Sequence, residues 1–103
     1  MRSLSLIAVL LIGAASQAQA ADTDILFKKY KCTKCHAVDH RPGTAPSYDE
    51  IMKKYKGQAS AAADLAKVVK EGGGDVWGME RMPANPTIPD ADIQAMVAWI
   101  LKH

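Results

Sequence analysis

Near the end of the chain Ile93, Met96, Val97, Ile100 and Leu101 recur at i, i+3, i+4, i+7 and i+8. On a helix of 3.6-residue period these form one apolar stripe. Asp90 and Asp92 fall in its first turn, against the positive end of the helix dipole. Upstream the same period returns in shorter pieces. Leu65, Val68 and Val69 give an inward face to a helix over 60–70, stopped by Gly72-Gly73-Gly74. Ser47-Tyr48-Asp49-Glu50 has the S-x-x-E form of a capping box and opens a helix through Ile51, Met52 and Tyr55, which Gly57 ends. A first helix, capped by Asp22 or Thr23, carries Ile25, Leu26, Phe27 and Tyr30 towards the first cysteine. Between the helices, 38–47 and 75–89 are punctuated by prolines and read as irregular. No segment alternates as a strand would, and none repeats. The pattern predicts an all-α single domain of four to five short helices, with Trp99 as a core aromatic against Phe27.

The first residues follow another logic. Met1-Arg2-Ser3 is a short positive leader, Leu4 to Ala15 is mostly apolar, and Ala18-Gln19-Ala20 is an A-x-A cleavage signal. That is the form of a secretory signal peptide. As a membrane anchor it falls short of the ~20 apolar residues a span needs. The expected organisation is a cleaved signal at 1–20 and one domain at 21–103, exported to the periplasm. A domain this small buries little apolar surface and usually needs a staple.

The staple is indicated by Cys32-Thr33-Lys34-Cys35-His36, which reads C-x-x-C-H, the attachment signal for a covalent c-type haem. Two thiols about one helical turn apart can add to the two vinyl groups of one porphyrin. The histidine after the second thiol is then carried under the iron as proximal ligand. Blander readings fit less well. A disulfide closing so short a loop stabilises little. A thioredoxin-like site needs a βαβ context that is missing. A zinc site needs a second ligand pair at suitable spacing.

The residue across the ring decides between a carrier and a reactive haem. Met82, followed by Pro83 in the long irregular segment, is the best candidate, because a soft thioether favours ferrous iron and fills the sixth position. Met79 competes with it in the same segment. Met52 and Met96 occupy core-like helical positions, where methionine usually fills gaps. His40 lies four residues after His36, on the same side of the ring, and is discounted. His103 reads as a solvated terminal residue.

The sequence resembles the class I c-type cytochromes, most closely the small bacterial cytochrome c-551/c-552 group. The resemblance is carried by Leu26-Phe27, Cys35-His36-Ala37-Val38, Tyr48, Gly57-Gln58-Ala59, Val76-Trp77-Gly78, Met82-Pro83 and Trp99-Ile100-Leu101. It implies a cytochrome c fold, with helices wrapped around one haem. In that family V-W-G is followed, after three residues, by the ligand methionine and a proline, which selects Met82 over Met79. It also implies that the Pro46 carbonyl accepts a hydrogen bond from the proximal histidine, and that the Trp77 indole N–H meets a haem propionate. The chain departs from its relatives in three places. Val68 stands where some carry an arginine, Ala45 precedes Pro46 where glycine is usual, and Met79-Glu80-Arg81 places two charges just before the ligand.

The implied function is that of a soluble periplasmic one-electron carrier between respiratory redox partners, not an enzyme. The alternative is a haem enzyme or gas sensor with a displaceable or absent sixth ligand. The formal charge of +2 loses one with Arg2, so whole-chain charge favours neither nucleic acid nor a strongly charged partner. Locally, Lys28, Lys29, Lys31 and Lys34 crowd the attachment segment and suggest transient docking of acidic redox partners there. The expected state is a monomer without stable membrane insertion.

Overall fold

The computed structural model describes residues 23–78 and 80–103. The expected signal peptide, the Asp22 cap and Met79 lie outside the described residues. Among these residues four α-helices follow one another: α1, described over 23–29, α2 Tyr48–Tyr55, α3 Ala61–Glu71 and α4 Asp90–Lys102. Two short 3-10 turns, Cys32–Lys34 and Asp75–Trp77, interrupt the connections. Among the described residues there is no strand, only an isolated antiparallel pairing of Gly73 with Met82.

Local chemistry accounts for the helix ends. Ser47 forms the full capping box: its hydroxyl accepts from Glu50 N–H at 3.1 Å, and Glu50 Oε2 accepts from Ser47 N–H at 2.8 Å. Gly57, at φ 80°, turns the chain beyond α2. At the end of α3, Gly72 N–H returns to the Val68 carbonyl at 2.8 Å, and Glu71 extends the helix one residue past the expected boundary. Helix α1 stops at 29, ahead of the cysteines, because Lys31 swings to φ 61° and starts the 3-10 turn instead.

The apolar stripe of α4 is the spine of the core. Ile93, Met96, Val97 and Ile100 are buried with Phe27 of α1, Tyr48 and Ile51 of α2, and Ile88. Leu101, Leu65 and Val69 pack against this cluster from its margin. Val68 is only partly buried and lies outside it. Trp99 meets Phe27 edge-on, with centroids 5.5 Å apart, and Tyr48 likewise at 5.9 Å. Tyr30 Oη donates to Asp92 at 2.5 Å, tying the end of α1 to the first turn of α4. Lys70 pairs with Asp90 at 2.9 Å, joining α3 to the same turn.

His103 corrects the sequence reading. Its side chain is only 16% exposed and lies flat on Trp99. Nδ1 sits 2.8 Å from the Ile100 carbonyl and Nε2 2.5 Å from Asp49 Oδ1. A flat indole with two acceptors beside it captures an imidazole that periodicity alone left in water.

Candidate functional site

The Cys32–Lys34 turn gathers the thiols and the imidazole. Cys35 N–H and His36 N–H both return to the Cys32 carbonyl, at 3.2 and 3.0 Å. This folds the five-residue motif back on itself. Neither cysteine is in a disulfide; Cys32 is partly buried and Cys35 exposed. Burial pushes the Cys32 thiol up, and the neighbouring Cys35 adds to the shift. A redox-active dithiol needs the opposite, a lowered value.

His36 is fixed from two sides. Its Nδ1 lies 2.7 Å from the Pro46 carbonyl oxygen. A carbonyl can only accept, so Nδ1 carries a proton, and in the neutral ring Nε2 keeps its lone pair. The ring also stacks on Tyr48, with centroids 5.4 Å apart and planes at 21°. Tyr48 in turn packs on Phe27 at 4.8 Å. The Pro46 loop is held by Tyr48 N–H to Ala37 O at 2.9 Å and Asp49 N–H to Val38 O at 3.0 Å. Burial raises the Tyr48 hydroxyl well above the ordinary phenol value. Among the described residues it is the buried side-chain polar atom without a hydrogen-bond partner.

Met82 is placed by main chain. It exchanges both hydrogen bonds with Gly73, at 2.7 and 3.1 Å, and is partly buried. Asn85 secures the same segment, its Nδ2 donating to Val69 O at 3.2 Å and Pro83 O at 3.1 Å. Met96 is buried in the core and Met52 partly buried on α2. His40 is exposed and bonded to Asp39 at 2.9 Å.

Trp77 lies at the margin of the core under two cations. Arg41 Cζ is 5.9 Å and Lys54 Nζ 5.6 Å from its ring centroid. Arg41 also grips Glu50 through Nε and Nη2, at 2.7–3.1 Å, which with the Ser47 N–H holds the Glu50 carboxyl down at about 2. The two charges before Met82 are paired: Arg81 with Asp75 at 3.3 Å, and Glu80 with the Thr44 hydroxyl, which links the loops carrying Pro46 and Met82. Sequence reasoning missed Arg41, Lys54 and Thr44. Their partners are set by how loops meet, and no local motif announces them. Lys28, Lys29, Lys31 and Lys34 are all exposed.

The donor set fits a covalently attached haem: two unbridged thiols, one imidazole with Nε2 available, and a thioether on a separately anchored segment. The cytochrome c family profile matches residues 20–103. The chain belongs to the cytochrome c family. It is 37% identical to cytochrome c-551 of Pseudomonas aeruginosa over 100% of this chain and 99% of that one. To cytochrome c-552 of Nitrosomonas europaea it is 41% identical, over 79% and 77% of the two chains. The crystal structure of wild-type Nitrosomonas europaea cytochrome c552 superposes with a TM-score of 0.72 at 38% identity, covering 76% of this chain and 95% of that one. The all-α cytochrome c fold expected from the sequence is therefore the fold of the chain. As a family member it is an electron-transfer protein with one covalently bound haem c, and not an enzyme.

Proposed function

We propose that this cytochrome c is a soluble periplasmic carrier with His/Met axial ligation, formed by removal of residues 1–20 to leave 21–103. Cys32 and Cys35 make the two thioether bonds, His36 Nε2 is the proximal ligand and Met82 the distal one. The observation that supports this reading is the 2.7 Å contact between His36 Nδ1 and the Pro46 carbonyl, which puts a proton on Nδ1 and, in the neutral ring, leaves the Nε2 lone pair free to bind iron.

Bound haem supplies an iron that gains and loses one electron. The chain's residues do the rest. Pro46 and Tyr48 hold the imidazole in one orientation, so little must move between oxidation states. Met82 would offer the iron a soft neutral thioether and would keep exogenous molecules off it. Trp77 serves a propionate through its indole N–H, and the cations over its ring, Arg41 and Lys54, suit carboxylates there. Among the described residues no helix is long and apolar enough to cross a membrane. Its donor and acceptor dock transiently beside Lys28, Lys29, Lys31 and Lys34, and the protein works as a monomer.

An optical spectrum of the purified holoprotein tests the reading. Low-spin six-coordinate iron, unresponsive to carbon monoxide, is expected. A ferrous form that binds carbon monoxide readily overturns it.

A further inference from the structure

The segment holding Met82 is laid directly on the end of α3. The paired hydrogen bonds between Gly73 and Met82 make one attachment. Asn85 N–H makes another, to the carbonyls of Val69 and Lys70 at 3.1 and 3.2 Å. Those carbonyls belong to the last turn, which a helix leaves without internal partners. Gly72 stands between the two attachments. Its φ of 80° and ψ of 172° fall in a region essentially reserved for glycine.

Conformation is only half of the requirement at Gly72. A Cβ there would lie 2.8 Å from the Met82 carbonyl oxygen, 2.9 Å from Ala84 N and 3.2 Å from the Pro83 carbonyl carbon. All three are main-chain atoms of one segment, so none can step aside as the end of a flexible side chain would. Other positive-φ glycines lack this contact. At Gly57, which shares the φ of 80°, and at Gly73 and Gly78, a Cβ would meet nothing within 4 Å.

We propose that Gly72 is a positioning residue for the sixth iron ligand: its bare Cα lets the Met82–Pro83–Ala84 backbone lie against the end of α3, and that contact sets where the Met82 thioether stands. The proposal rests on Met82 being the distal ligand. A methyl at Gly72 displaces the Met82 carbonyl and stretches its pairing with Gly73. The sulfur moves with its own backbone, the axial bond weakens, and exogenous ligands compete for iron.

The test compares Gly72→Ala, Gly57→Ala and Met82→Ala holoproteins by the far-red sulfur–iron band and by imidazole affinity. Gly72→Ala should weaken the band and raise imidazole affinity by about tenfold or more, while Gly57→Ala stays within about twofold of wild type. If Met82→Ala keeps the band, the ligation reading fails. If Met82→Ala loses it but Gly72→Ala binds imidazole like wild type, the positioning role alone fails. Equal effects at Gly57 and Gly72 also overturn it, since a positive φ would then suffice. Should Gly72→Ala yield no holoprotein, hydrogen exchange on the wild type decides. The Met82 amide should open in step with that of Gly72; Met82 exchange faster by about a hundredfold overturns the proposal.

Discussion

The imidazole of His103 lies on the indole of Trp99 with centroids 4.5 Å apart and planes within 1°. The stack closes a line of rings that runs through Tyr48 to His36. Its Nε2 reaches Asp49 on α2, so one residue fastens the end of α4 to the helix whose Tyr48 backs His36. His103→Ala should destabilise the holoprotein by about 1 kcal/mol, chiefly from the lost stack. For a domain of this size that lowers Tm by about 4–8 °C. Thermal unfolding followed by circular dichroism checks it. The haem spectrum should be unchanged, because Tyr48 and Pro46 still hold His36.

Acid stability should depend on Glu50. Hydrogen bonds from Arg41 and Ser47 hold its carboxyl near 2, against an ordinary 4.5. A depressed folded value means that the stabilisation is complete above 4.5 and is lost as pH falls towards 2. Glu50→Gln should therefore flatten the fall in stability across that window. Denaturant unfolding at several pH values measures it; parallel curves for variant and wild type would remove Glu50 from the account.

Those two residues also mark what the sequence could and could not reveal. The α4 stripe, the Ser47 capping box and the C-x-x-C-H turn were legible because each is written within a few neighbouring positions. The His103–Asp49 contact spans 54 positions and Thr44–Glu80 spans 36. Such pairs depend on how helices and loops meet, and no local period encodes that. Gly72 sits between these cases. A glycine run reads as a helix stop, but its close approach to Met82 appears only once the later segment has been laid back on α3.

Ligand assignment turns on two methionines. Met82→Ala should abolish the far-red band, lower the reduction potential and admit cyanide or carbon monoxide. Met79→Ala should leave all three unchanged. Spectra and redox titration of both variants decide. The reverse pattern would move the ligand to Met79, and no effect from either would exclude methionine.

Covalent attachment is open to a simpler test. Acid and organic solvent should leave the pigment on the chain, since thioether bonds survive denaturation. Colour that extracts would end the assignment of Cys32 and Cys35. His36→Ala should prevent accumulation of folded holoprotein, because a domain this small depends on its haem to complete the core.

Charge reversal at Lys28, Lys29, Lys31 and Lys34 tests docking. Electron transfer to an acidic partner should slow at low ionic strength, and its salt dependence should weaken. Stopped-flow rates that match wild type would leave these lysines as ordinary solvated residues.

The Gly73–Met82 pairing has a consequence for how such a carrier can diverge. It closes the excursion between Gly73 and Met82 at its neck with a main-chain clasp. Glu80 and Arg81 lie inside it and spend their charges on Thr44 and Asp75. If Met82 is the iron's ligand, surface charge in this excursion can change while the clasp that holds the ligand stays. Choice of partner and coordination of iron become separately adjustable traits of one short segment.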